Sequence, residues 1–248
     1  MLARLPSLAS SRYQKAFQRN DGEKYNEYKS ALESGDAKVN AGAVYPYDII
    51  KSIQRGGDKT VNNKQWESLP NWMEDSEERV LPVVDVSGSM GCKVGGNPNL
   101  TCMDVAISLG MYISERNEGP FKDAFFTFHS NPTLEVLSGD LRDRYNQLAR
   151  AKWGGSTNLE ATFEVLLNKA KAGNVAQEDM PTMILILSDM EFNQATGSGW
   201  GSESDWNPTA QRMIENLYAN AGYKMPKVVY WNRSEEHTSE LQSPDHLV

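Results

Sequence analysis

The chain has 248 residues, 39% of them apolar and 23% charged, and carries a formal net charge of -8. That length holds one or two domains with a full hydrophobic core, and the composition is neither that of a disordered chain nor of a fibrous one. The acidic balance, with no Lys/Arg-rich run, excludes a surface that attracts nucleic acid as a whole, and no stretch approaches the ~20 apolar residues a membrane span needs.

From the N-terminus, residues 1–35 are polar, with helix-like spacing around Tyr13, Ala16 and Phe17 and again around Tyr25, Tyr28 and Leu32. They read as one or two solvated helices broken at Asp21-Gly22. In 39–53, Tyr45-Pro46 opens a short helix with proline in its first turn. Residues 61–73 read as another short amphipathic helix. None of these pieces buries a core alone, so they are expected to pack on the remainder of the chain or on a missing N-terminal partner.

From Arg79 the pattern changes to alternating strands and helices. VLPVVDVS (80–87) is a continuous apolar run, the mark of a central parallel strand covered on both faces. A glycine-rich loop, GCKVGGNPNLTC, leads to CMDVAISLGMYIS (102–114), a buried helix. FKDAFFTFHS (121–130) and TLEVLS (133–138) read as a hairpin, 141–151 and 158–172 as amphipathic helices, and TMILILSD (182–189) as a second buried strand. A helix over 208–222 and a strand over 227–232 close the pattern. Strands alternating with helices predict an α/β fold with a doubly wound, mostly parallel sheet and an N-terminal α-helical extension.

The last sixteen residues, RSEEHTSELQSPDHLV (233–248), resemble the translation of a sequencing-adapter oligonucleotide. They are expected to be a non-native tail that takes no part in the fold. Without them the formal charge is -5 and His129 is the one remaining histidine.

In open α/β sheets ligands bind at the carboxyl ends of the strands. DVSGS puts Asp85, Ser87 and Ser89 at the end of the first strand, with i, i+2, i+4 spacing that can turn all three to one side, and Gly88 is expected to let the loop curl. Asp189 ends the second buried strand, and GGSTN supplies Ser156, Thr157 and Asn158 before the next helix. Two carboxylates and three hydroxyls make an all-oxygen set suited to octahedral magnesium or manganese. Cys92 and Cys102 lack the further ligands a zinc site needs and are expected to be two reduced thiols. Trp66, Trp72 and Trp153 are expected to be core and anchor residues.

DVSGSM, then GGSTN, then LSDMEF resembles the metal-ion-dependent adhesion site of von Willebrand A-type (VWA) domains. The resemblance implies a Rossmann-like VWA fold over 79–232, lacking its last strand. Ser87, Ser89 and Thr157 would then offer hydroxyls to a Mg2+ or Mn2+ ion, with Asp85 and Asp189 acting through waters or as charge balance. The run from VNAGAVYPYDIIKSI into DVSGSM resembles TROVE-type proteins, in which a VWA domain follows an RNA-binding helical ring. FFTFHSNPTLEVL, ILSDMEF and MPKVVYWN are still more similar to an uncharacterised VWA family related to those. Residues 1–78 would then be the end of a larger helical region.

The expected function is a cation-dependent, non-enzymatic binding module. It would capture a protein partner through a carboxylate on the ion, away from membranes and in the cytoplasm. Two alternatives are a component of a ribonucleoprotein binding structured RNA through a missing helical region, and a metal-dependent phosphoryl-transfer enzyme with Asp85 as nucleophile.

Overall fold

The structure, a computed structural model, describes residues 5–74, 76–95, 97–154, 158–188 and 208–231. Five helices come first: α1 (Ser7–Arg12), α2 (Gln14–Asn20), α3 (Gly22–Ser34), α4 (Pro46–Gln54) and α5 (Lys59–Glu67). The break at Asp21-Gly22 falls where expected, because the Asp21 carboxylate accepts from Lys24 N and caps α3. The stretch before it is two helices rather than one, interrupted at Tyr13. The helix expected over 61–73 is α5, which starts at Lys59 because the Asp58 carboxylate caps Thr60 and Val61 N–H. It ends at Glu67, short of Pro70, since the residue before a proline is driven out of the helical region.

Next come β1 (Val80–Val84), a ribbon of β2 (Lys93–Val94) with β3 (Asn97–Thr101), and α6 (Cys102–Arg116). The glycine-rich loop therefore contains a small antiparallel hairpin that the sequence pattern did not announce. Then come β4 (Ala124–Thr127), β5 (Leu134–Val136), α7 (Leu141–Ala149), α8 (Leu159–Ala172), β6 (Met183–Leu187), α9 (Pro208–Asn220) and β7 (Lys227–Trp231).

The main sheet has the order β5-β4-β1-β6-β7. Only β5 runs antiparallel, as the partner of β4 in the expected hairpin. Every residue of β1 and β4 is buried, whereas the edge strands β5 and β7 are largely half-buried or exposed. The sheet is thus mixed α/β and mostly parallel, and it grows outwards from β1 in both directions.

Proline inside the central strand needs an explanation, because it cannot donate to a ladder. Asp85 N–H donates to Leu187 O on β6. Backbone groups alternate sides along a strand, so the position of Pro82 faces β4, whose registered pairing with β1 begins only at Val83. The missing N–H therefore costs one rung beside the start of β4, and the registered pairing begins at the next residue.

One face of the sheet carries α8 and α9, with Phe163, Leu166, Ile214 and Tyr218 closing over Leu81, Val83, Ile184 and Ile186. The Tyr218 hydroxyl donates to Phe163 O, and burial raises its pKa above the ordinary tyrosine value. The other face carries α6 and α7, and there the N-terminal helices join the same core. Ile49, Ile50 and Ile53 of α4 and Trp66 of α5 pack with Val105, Ile113 and Tyr112 of α6. Tyr25, Tyr28 and Leu32 of α3 form a smaller cluster with Val39 and Val61, so this helix is not simply solvated. Trp66 is core as expected, but Trp72 and Trp153 are about half exposed and are not.

Two features fix α6 against its neighbours. A Cβ built on Gly110 would lie 2.6 Å from Val84 Cγ2, so the helix backbone rests directly on the end of β1. Asp104, buried in the capping box of α6, accepts from Lys51 Nζ at 3.0 Å and Gln54 Nε2 at 2.6 Å, binding α4 to α6. Desolvation pushes its pKa up, but the hydrogen bonds from Gln54, Thr101 and Lys51 outweigh it and hold the carboxyl below its usual value.

Gly110→Ala gains helix propensity yet overpacks the β1 contact, and is expected to cost about 1–3 kcal/mol in a urea unfolding series. Asp104→Asn is expected to lower stability at neutral pH by roughly 1–3 kcal/mol. Because the folded pKa is depressed, that contribution is present above the unfolded carboxylate value and vanishes as pH falls through the folded one. Unfolding midpoints of parent and variant should therefore begin to converge as pH falls below about 4, and a gap that does not narrow as pH falls further would contradict the ion-pair account.

Candidate metal centre

β1 and β6 lie side by side in parallel register, Val84 opposite Leu187, so Asp85 and Ser188 emerge together at their carboxyl ends. Asp85 is fully buried. Its Oδ2 accepts from Ser188 Oγ at 2.7 Å, and its Oδ1 accepts from Ser87 N–H at 2.8 Å. The second contact is an Asx-type turn that bends the chain off the strand. Ser188, buried like Asp85, was not singled out in the sequence; its signal was the Ser-Asp pair ending an apolar run.

Ser87 is still extended, and a 3-10 turn, Gly88–Gly91, comes directly after it. The turn returns Ser89 towards Ser87, leaving the two hydroxyl oxygens 3.0 Å apart, while Met90 plugs the core beneath. Contrary to expectation, Gly88 is not required for curling. It does not adopt a positive φ, and among the described residues a Cβ there would meet nothing within 4 Å.

On the other side of β1, the chain continues past β4 through Phe128 and His129. Gly154 N–H donates to Phe128 O and Asn158 N–H donates to His129 O, both at 3.3 Å. Both ends of the GGSTN loop are thus held at the rim that carries Asp85, one strand spacing away. Asn158 caps α8 by accepting from Ala161 N–H. Gly154 is a close-approach glycine, since a Cβ there would stand 3.1 Å from His129 Nε2. His129 Nδ1 accepts from Asn131 N–H at 2.9 Å.

Of the five expected ligands, Asp85, Ser87 and Ser89 therefore come together. Thr157 and Asp189 lie outside the described residues, as do the glycine-rich 197–202 segment and the stretch 233–248. Among the described residues there is no group of three or more His, Cys, Asp or Glu able to hold a metal. A cation here would have to rely on hydroxyls, a mode the donor chemistry allows. Octahedral magnesium binds oxygen at about 2.0–2.1 Å, so neighbouring ligand oxygens sit roughly 2.9 Å apart. The 3.0 Å between the Ser87 and Ser89 oxygens fits that edge as well as it fits the hydroxyl-to-hydroxyl bond they now make.

A family model described as "Domain of unknown function (DUF7788)" matches residues 79–246, and one described as "Domain of unknown function (DUF2828)" matches residues 2–80. The two spans meet where β1 begins. A curated relative, "Uncharacterized protein L728" of Acanthamoeba polyphaga mimivirus, is 30% identical over 256 residues, covering 96% of this chain and 42% of that protein. The chain thus spans less than half the length of that relative. No solved structure matches. No helix among the described residues is long and apolar enough to cross a membrane.

Ser188→Ala is expected to destabilise the chain by about 1–2 kcal/mol, since it takes one donor from a buried carboxylate. Ser188→Thr, which keeps the hydroxyl, should recover most of that loss. Equal unfolding midpoints for parent and Ser188→Ala would show that this bond does not hold the site.

Proposed function

The chain belongs to the family described as domain of unknown function DUF7788, and we propose that it is a divalent-cation-dependent binding module with a doubly wound, VWA-type sheet. The ion would be Mg2+ or Mn2+, and the residues to hold it are Asp85, Ser87, Ser89, Thr157 and Asp189. The observation that carries this reading is the 3.0 Å pairing of the Ser87 and Ser89 hydroxyls over a fully buried Asp85. It occurs at the carboxyl end of the strand from which the sheet order departs in both directions, the place where such sheets bind ligands.

The chain's own residues have distinct parts. Ser87 and Ser89 present neutral oxygens towards the rim. Asp85, held by Ser188 and the Ser87 N–H, supplies negative charge from below without occupying the outer side. Among the described residues nothing stands within 4 Å of where a Gly88 Cβ would be, so Gly88 adds no bulk to the approach. A bound cation with so few charged ligands keeps much of its positive charge and would attract a carboxylate from a protein partner.

Magnesium chloride alone is the first probe. At a hundredfold excess over its dissociation constant the ion should stabilise the folded chain by about 2.7 kcal/mol. At matched ionic strength this reads as a rise in the thermal midpoint that is lost in Ser89→Ala and in Thr157→Ala. An unchanged midpoint, or an equal rise in both variants, would remove the metal reading.

A further inference from the structure

The turn that carries Ser89 leads straight into the β2–β3 hairpin, and the two cysteines of the chain close its open end. Lys93 pairs with Thr101, so Cys92 and Cys102 stand directly opposite one another at the next step outward. Cys102 N–H donates to Cys92 O at 3.0 Å, and the two sulfurs are in contact at 2.6 Å. Directly opposed positions in an antiparallel pair have Cα atoms ~4.5–5.5 Å apart, inside the range a disulfide spans.

We propose that Cys92 and Cys102 are a redox modification site, forming a reversible intrachain disulfide that staples the turn carrying Ser89 to the start of α6. Their exposures differ in the way such a pair needs. Cys92 is half-buried and open to a small oxidant, while Cys102 is buried behind it as the resolving thiol. With hydrogen peroxide as oxidant, the Cys92 sulfur attacks the O–O bond, becoming a sulfenic acid and releasing one water. The Cys102 sulfur then displaces the sulfenic oxygen, which leaves as a second water. Two S–H bonds and one O–O bond break, one S–S bond forms, and the peroxide takes up the two electrons and two protons.

The two anchors give the cross-link something to act on. Cys102 is the first residue of α6, held by the reciprocal Thr101–Asp104 capping bonds. Cys92 N–H donates to Ser89 O at 3.0 Å, so Cys92 and Ser89 belong to one turn. Tethering Cys92 to a fixed helix end restrains the Ser89 hydroxyl. Any change in cation affinity rests on the metal reading above; the cross-link itself does not.

The test is to expose the full chain to hydrogen peroxide and read intact mass and non-reducing tryptic peptides. Trypsin cuts after Arg79, Lys93 and Arg116, so the cross-link joins peptide 80–93 to peptide 94–116. The expected result is loss of two hydrogens per chain, appearance of that linked pair, and its disappearance with dithiothreitol. Cys102→Ser should abolish the linked pair and stop at sulfenic acid on Cys92. Amide exchange at residues 87–92 should slow in the oxidised parent and not in peroxide-treated Cys102→Ser. Added oxygen on both sulfurs, disulfides between chains only, or exchange at 87–92 equal in reduced and oxidised parent would each overturn the proposal. If the cross-link forms while magnesium leaves the thermal midpoint of the reduced protein unchanged, the metal reading fails and this one stands.

Discussion

A carboxylate removed completely from water costs several kcal/mol unless its oxygens are met by donors, and Asp85 is fully buried at the end of the innermost strand. Much of the rim is dictated by that requirement. One donor, the Ser87 N–H, is available only if the chain turns immediately after β1. The other, Ser188 Oγ, is available only if β6 lies against β1 in its observed register, since a slip of one residue would send that hydroxyl to the opposite face. The register is held by five consecutive residue pairs and extended by the Asp85 N–H to Leu187 O bond. The β1 turn and the β6 end are therefore one unit, and whatever binds at the rim inherits its precision from the core below.

The layer behind β1 makes the N-terminal helices part of the same unit. The matches to the two family descriptions meet at residues 79–80, and the sequence pattern changes there too. The packing does not divide at that point. Ile49, Ile50 and Trp66 from one side share a core with Val105, Tyr112 and Ile113 from the other, and the buried Asp104 takes hydrogen bonds from Lys51 and Gln54. Trp66 also donates its indole N–H to Glu115 and sets its ring edge-on to Tyr112. Cutting the chain at the sequence boundary would expose an apolar face of α6 and leave a buried carboxylate without its cation. The helices and the sheet are separable in sequence and continuous in structure.

Most of the framework was legible because it rests on periodicity. The unbroken apolar runs at 80–84 and 183–187 can be buried on both faces only as inner parallel strands, and they are neighbours. Proline at 46 and the break at Asp21-Gly22 mark helix ends by local chemistry, which sequence carries directly, whereas the Asp58 cap that starts α5 at Lys59 was passed over. The β2–β3 ribbon was missed because its stabilisation is not periodic. It is two short strands around glycines, held by two registered pairs with an irregularity between them and by the cysteine pair at its mouth. Trp72, which stacks on Tyr45 and tilts against Tyr112 as an anchor, and Trp153 are not core for a related reason. A tryptophan near a helix is core only if a partner face lies opposite, and that depends on tertiary contacts. Three of the five expected ligands could be grouped from the i, i+2, i+4 spacing of one turn. Ser188 could not, since its role depends on which strand neighbours β1.

The state of Asp85 also bears on what kind of chemistry the rim suits. A nucleophilic aspartate needs an oxygen open to in-line approach by an electrophile. Asp85 has no exposed surface, and each of its oxygens already accepts from a donor fixed in the fold. Freeing one oxygen would cost either the Ser87 N–H bond in the turn after β1 or the Ser188 hydroxyl bond from the end of β6. The same burial is no handicap to a residue that acts by charge, since a carboxylate need not be touched to favour a cation above it. The serines are complementary: their oxygens stand close together, can reorient about one torsion, and carry no charge to neutralise what they hold. On the proposed reading, a fixed carboxylate and two paired neutral oxygens are the parts a hard cation would use at this rim.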